Sequence, residues 1–545
     1  MKKILFTMAA LSLAALVSAQ EFDFGGDFGD GDDFGGTDGF GADFGSYDGA
    51  ASAVTVSGEV GADARLWPGA ADRESGKHDT RSHSVGKSSV DAGAYARLEL
   101  GYQGDRTGAD IKLKLDTGTI KDHPEDVIDE AYASGSFAEG KFQLKAGKLK
   151  EVWGKGDKIH VLDNFNANDY TDFIFPDYID RRLGEVMLKA TANLSWDYNL
   201  KLEGIITPWM TADRFASGGM LVPYRQRKLE GTVRGILAAQ GAAAADSAIS
   251  GGSSSLVGAI MGLSDFSTDD LYEDNIRSLK YGQAGARLTG TLGGIDLGAS
   301  YYYGHYKQPS ANLERTIRYN YFKKAAESGL PGMDEAAKNA LQDALPSLDY
   351  DRLQVFGLEA AFVLWKLNTR WEAAYNLTED VAGDNPWIKN NSVSWVAGFD
   401  IDLPLHNLNL NVQETGSVIL NSGKIKDMGR GIRVGEATVP WSKIGNYDVD
   451  YNSDGKYTRN KLIVLLSDKF LNEKLTVEAQ GIWGIECSEF VIVPKISYNV
   501  TEGLTFTAKG AYIYSRNENG EFYNFTEDSE HHDKVFVQLS VKYQF

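Results

Sequence analysis

The chain has 545 residues, a formal net charge of −21, 60 glycines, one cysteine and an aromatic fraction of 11%. The acidic balance opposes nucleic-acid binding, and Cys487 alone cannot build a disulfide framework within one chain. Beyond residue 20 no run of about 18 apolar residues offers a helical membrane span, and the negative mean hydropathy suits a β-barrel as well as a soluble protein, because a barrel wall alternates apolar and polar residues.

Residues 1–19 read as a secretory signal. Lys2 and Lys3 precede an apolar run from Ile4 to Val17, and Val17-Ser18-Ala19 supplies the small residues of a cleavage site. The run is too short for an anchor. Residues 20–50 form a low-complexity acidic tail. Asp-Phe-Gly recurs four times, starting at Asp23, Asp27, Asp33 and Asp43, and residues 21–50 hold nine acids and no base. Such a stretch repels itself and buries too little apolar area to fold alone. It reads as a flexible periplasmic tail, with a Phe-studded arm for a partner or divalent cations as the alternative. No other kinase element accompanies the Asp-Phe-Gly letters.

From about Val54 the period is two, the mark of strands, and residues 51–545 read as one barrel domain. Trp196 to Ile206, Thr369 to Leu377, Leu475 to Trp483 and Leu504 to Tyr512 alternate apolar with polar residues. About eighteen candidate strands of membrane-crossing length begin near residues 53, 90, 108, 127, 140, 184, 195, 281, 294, 350, 367, 391, 405, 459, 473, 488, 501 and 533. Tight connections such as Gly104-Asp105-Arg106 and Gly293-Gly294 alternate with long ones, roughly 151–183, 208–280, 307–347, 421–457 and 515–532. That alternation fits periplasmic turns on one rim and external loops on the other, and an even count puts both termini on the periplasmic side. Residues 224–245 and 321–344 lose the period and read as helices, either plugs or caps. The expected fold class is all-β: a closed antiparallel transmembrane β-barrel of about 16–18 strands with partly helical long external loops.

The last strand is the most specific signal. Val535, Val537, Leu539, Val541, Tyr543 and Phe545 fill one face, while Lys534, Gln538, Ser540, Lys542 and Gln544 lie on the other, interrupted by Phe536. This strand resembles the C-terminal assembly signal of bacterial outer-membrane proteins. The resemblance implies the barrel-assembly machinery as a partner, reading the strand that ends at Phe545, and outer-membrane lipid as the surroundings.

The candidate site lies between the strands near 140 and 184. Lys148-Leu149-Lys150-Glu151-Val152-Trp153-Gly154 leads into Asp163-Asn164, Asn168-Asp169-Tyr170, Asp172, Pro176 and Arg181-Arg182. This pattern resembles large porin-like and alginate-export-type outer-membrane barrels, and the resemblance implies a segment that packs into the barrel mouth and shapes a constriction. Its candidate residues are Asp163, Asp169, Asp172, Asp177, Asp180, Arg181 and Arg182. Carboxylates facing bases across a narrow lumen would sort permeants by charge. The alternative is that Asp177, Asp180, Arg181 and Arg182 only cap turns and pair with one another. Alternation puts Arg370, Glu372, Lys474, Glu478 and Lys509 on the lumen face.

Asp450, Asn452 and Asp454, followed by Gly455, match the first half of a calcium loop, although Lys461 stands where the bidentate Glu belongs. Calcium is the one cofactor suggested. No nucleophile, zinc or P-loop pattern appears, and His531-His532 are adjacent rather than at ligand spacing, so the chain does not read as an enzyme. The expected function is an outer-membrane channel for passive or substrate-selective diffusion of small polar solutes. The alternative is a surface-exposed adhesin, or another non-transport barrel, displaying large loops. A lipid-handling barrel with an apolar interior is opposed by the polar inward faces.

Overall fold

The computed structural model describes residues 53–68, 82–85, 88–157, 159–216, 221, 275–309, 350–383, 388–423, 431–434, 437–440, 457–517, 520–526 and 534–545. The signal and tail (1–50), both helical loop readings (224–245 and 321–344) and the calcium residues Asp450, Asn452 and Asp454 lie outside the described residues.

A two-residue period puts successive side chains on opposite faces. Here that pattern produces β1 (Ala53–Trp67), β2 (Ser88–Gln103), β3 (Thr107–Asp116), β4 (Ile128–Phe137), β5 (Phe142–Leu149), β6 (Glu185–Ser195), β7 (Leu200–Thr207), β8 (Gln283–Leu292) and β9 (Ile295–His305). The second half adds β10 (Arg352–Leu364), β11 (Leu367–Leu377), β12 (Ser392–Asp402), β13 (Asn409–Ile419), β14 (Thr458–Phe470), β15 (Leu475–Gly484), β16 (Glu489–Asn499), β17 (Leu504–Tyr514) and β18 (Val535–Gln544). Each pairs antiparallel with its sequence neighbours. The ring closes where β1 meets β18, from Glu59 opposite Gln544 to Leu66 opposite Val537. A short strand, Ser82–Val85, adds to β2 within the first long connection. Closure leaves no free sheet edge, which a bilayer demands.

Long connections follow the odd-numbered strands except at Ile485–Ser488, and tight turns follow the even ones, so both ends of the barrel chain lie on the short-turn rim. Gly293 and Gly294 join β8 to β9 with φ of 61° and 82°, the left-handed pair a two-residue hairpin turn needs. The run starting at Trp196 is not all strand: Trp196 to Asn199 form the β6–β7 turn, and the strand begins at Leu200. Trp196 and Tyr198 instead stand exposed on the short-turn rim with Trp365, Tyr543 and Phe545, where they belong to an aromatic girdle.

Outside and inside separate as a membrane barrel requires. Phe356, Leu358, Trp371, Val477, Trp483 and Leu539 are exposed, whereas Glu359, Glu372, Glu478 and Gln480 on the same strands are buried. The inward faces are not uniformly polar, which corrects the expectation from alternation. Toward the short turns they carry ion pairs. Toward the long loops they turn apolar, with Trp67, Ile205, Val355, Val396, Ile482 and Ile513 in one continuous cluster. Phe536, which broke the polar face of β18, belongs to this tier. Its ring lies 4.9 Å from both Trp67 and Phe175.

Candidate functional site

Residues 150–184 join β5 to β6 by running through the interior rather than outside it. Asn166 staples the base of this segment. Its Nδ2 donates to the Leu149 and Leu183 carbonyls at 2.8 and 2.9 Å, and its Oδ1 accepts from the Glu151 amide. The apolar residues of the segment, Trp153, Ile159, Val161, Leu162, Phe165, Phe173 and Phe175, meet the apolar tier of the wall. Water is displaced from both surfaces, and each fully buried side chain contributes roughly 1.5–3 kcal/mol. Phe173 and Phe175 also pack against Phe525 of the last long connection in tilted and edge-to-face contacts, with ring centroids 5.2 and 6.0 Å apart.

Polar anchors fix the segment at points far apart on the wall. The Arg65 guanidinium of β1 takes both oxygens of Asp172, at 2.6 and 2.9 Å. Arg97 of β2 pairs with Asp180 at 2.8 Å. Lys509 of β17 donates to the Phe175 carbonyl at 2.8 Å. Lys189 of β6 pairs with Glu151 at 2.8 Å, and Asn411 of β13 donates to Asp157.

The tightest anchor is Glu372 of β11. Its Oε1 accepts the Gly156 amide at 2.5 Å and lies 2.9 Å from His160 Nδ1, while Oε2 accepts the Val161 amide at 2.8 Å. The backbone wraps this carboxylate closely because Gly154 and Gly156 carry no side chain. A Cβ on either would overlap Glu372, and Gly154 has φ +122°, a conformation that L side chains avoid.

The predicted residues distribute unevenly. Asp163 is buried against Arg182 at 2.5 Å and accepts the Tyr178 hydroxyl. Asp169 accepts from the Thr171 amide at 3.0 Å and pairs with Arg214 at 3.3 Å. Asp177 precedes the short helix Tyr178–Arg181, and the Arg181 guanidinium lies 5.6 Å over the Tyr170 ring. Arg370 faces the lumen but pairs with Asp400 of β12 at 2.7 Å. Glu478 is a buried wall residue whose partner is Lys495 at 3.3 Å. Lys474 lies at the short-turn rim rather than within a strand. It lies exposed in the Leu471–Lys474 turn, because the hairpin reverses there before β15 begins.

Sequence reasoning missed the wall partners Arg65 and Arg97, which sit on the inward faces of β1 and β2, and it missed His160 altogether. Alternation along the first two strands was a signal for the two arginines. Nothing in the sequence marked the histidine.

Electrostatics differ along the inward-folded chain. Burial would raise the Asp180 carboxyl, but the Arg97 guanidinium outweighs it and holds the group below the usual range. Lys307, just beyond β9, is lowered to about 8, chiefly by burial, while Glu185 and Asp213 oppose the shift. Its amine donates to Gln283 Oε1 at 2.5 Å. Among the described residues, His123, Glu125 and Asp126 could gather round a cation. Arg214 and Lys148 already lie 2.8 and 3.3 Å from Asp126.

A closed barrel with an apolar exterior and a connecting segment folded into its lumen defines the class: an outer-membrane-type transmembrane β-barrel. Residues 40–401 match the family described as "Protein of unknown function (DUF1302)", and the chain belongs to that family. A search of curated protein sequences gives no match. Among solved structures, a BenF-like porin from Pseudomonas fluorescens Pf-5 is similar at 10% identity and a TM-score of 0.42, covering 90% of this chain and 98% of that one. Pseudomonas aeruginosa OpdQ shows 11% identity and a TM-score of 0.41, covering 90% and 97%. The outer membrane channel DcaP of Acinetobacter baumannii shows 11% identity and a TM-score of 0.35, covering 91% and 97%.

Proposed function

We propose that the protein is a porin-like channel of the bacterial outer membrane for passive or substrate-selective diffusion of small polar solutes, with residues 150–184 as its constriction. The carrying observation is the path of this segment, which crosses the interior and is anchored on β1, β2, β6, β11, β13 and β17. A connection needing only to join neighbouring strands would take a handful of residues. One that narrows a lumen must cross it and be held on several sides. The exported reading of residues 1–19 and the outward row Val537, Leu539, Tyr543 and Phe545 support insertion through the C-terminal strand.

The test is single-channel recording of the purified protein in planar bilayers. Intact protein should give stepwise conductance, and deletion of residues 160–175 should enlarge each step and weaken charge selectivity. Unchanged steps in a correctly inserted deletion protein would place the segment off the permeation path. A silent bilayer with both proteins would favour a surface-display barrel.

A further inference from the structure

We infer that the open part of the lumen is lined by cationic side-chain tips and favours small anionic solutes over cations. This rests on the channel reading above and adds the sign of the permeant. The overall charge argues the other way: a chain at −21 should draw cations to its mouths. A permeating ion, however, feels most strongly the end of each wall ion pair that projects into water.

In the wall pairs of the short-turn half, that end is the base. Lys112 is 38% exposed and its partner Glu130 10%. Arg370 and Asp400 stand at 21% and 4%, Lys495 and Glu478 at 19% and 3%, and Lys542 and Glu59 at 22% and 13%. Lys189 likewise stands out beyond Glu203. The cause is geometric. Both partners root on the same inward face, and the longer Lys and Arg stems arch over the shorter carboxylates. These bases sit on β3, β6, β11, β16 and β18, so the tips surround the opening.

The order reverses in Arg287–Glu203, in Lys150–Asp129 and in Lys469–Glu473 at a short turn, and also in Arg65–Asp172, where the acid comes from the inserted segment. Asp172 is more exposed than Arg65, but both its oxygens are held by that guanidinium. Asp180 is held by Arg97. Glu99 and Asp110, further inward acids of β2 and β3, lie beside Lys112 together with Glu130, so this one base faces three carboxylates.

The measurement is the reversal potential of the full-length protein in a planar bilayer under a KCl gradient at low salt. Chloride should be preferred over potassium. Lys112→Gln and Lys542→Gln avoid the segment's anchors. Each should lower the chloride-to-potassium permeability ratio by about tenfold, because one unit charge some 6 Å from an ion in water shifts chloride and potassium about threefold each in opposite directions, and the change should shrink as salt rises. Lys112→Arg should preserve the ratio. Heat-modifiable gel mobility identifies the variants that reach the folded barrel. Potassium preference in the intact protein, or a ratio unmoved in folded Lys112→Gln and Lys542→Gln, overturns the inference while leaving the channel reading intact. Absence of any conductance overturns the channel reading first.

Discussion

The two halves of the barrel interior are built from the same strands with the same period, yet they differ in chemistry. Toward the short turns the inward side chains form ion pairs such as Lys112–Glu130 and Lys495–Glu478. Toward the long loops the same strands turn inward Ile482, Val491, Ile513 and Phe536. The difference lies in what each half faces. The first half faces water, where paired charges stay solvated. The second faces the inserted segment, and apolar contact there is favourable because it removes water from both partners. The outer surface shows no such division, since lipid tails are equally apolar along the wall. The level at which the lining changes therefore marks how deep the segment sits, and Glu372 stands close to that boundary.

Glu372 is the place to break the contrast most severely. Replacing it by alanine strands the Gly156 and Val161 amides and His160 in the interior. Loss of one partner from a buried charged network costs about 3–5 kcal/mol. Glu372→Ala should lower the unfolding midpoint of the detergent-solubilised barrel and, by freeing the segment, raise channel conductance. A variant with unchanged conductance and stability would show that apolar packing alone positions residues 150–184.

The second expected effect is on the wall itself. Leu358 lies midway along β10 and faces out, so Leu358→Arg should cost about 2–4 kcal/mol, the expected penalty for a base on the lipid face near the bilayer midplane. Thr507 faces in on the short-turn half of β17, and Thr507→Arg should stay within about 0.5 kcal/mol. Both are measured by denaturant titration of protein refolded into vesicles. Equal costs at the two sites would contradict the assignment of inner and outer faces.

Much of this architecture was legible because the period of two is a local property. Strand starts near 53, 294, 367 and 391 can be read from alternation, and the alternation of long and short connections identifies the short-turn rim. The inner lining was less legible. Alternation reports which residues share a face, not what covers that face, so Phe536 read as an interruption of a polar face, whereas its ring packs against Trp67 and Phe175. The acids of the segment were visible as charges needing partners, but those partners lie far along the chain. Asp172 meets Arg65 at 107 residues' separation, and Gly156 meets Glu372 at 216. Long-range pairs of this kind leave no local trace. Lys474 marks the opposite limit: the alternation there runs on past the end of the strand into a turn.

The smallest expected effect concerns the junction of the two halves, where the helix Tyr178–Arg181 hangs from the segment beside β2. Asp180 is held below the ordinary carboxylate range by Arg97. For a depressed carboxyl the sign is fixed. The stabilisation is fully present above the unfolded-state value of about 3.9 and is lost as pH falls through the folded value. The helix should therefore stay docked at neutral pH and loosen below about pH 4. Lys307 acts at the other end of the scale. Its amine titrates at about 8, below the value of about 10.4 for an unfolded lysine, so between those values the unfolded chain holds more protons and stability rises with pH. The protection factors of the amides of residues 178–181, corrected for the intrinsic pH dependence of exchange, should fall on acidification in the intact protein, and Asp180→Asn should remove that fall while leaving the alkaline rise in place. If the protection of these amides is as pH-dependent in Asp180→Asn as in the intact protein, the Arg97 contact is not what holds the helix against the wall.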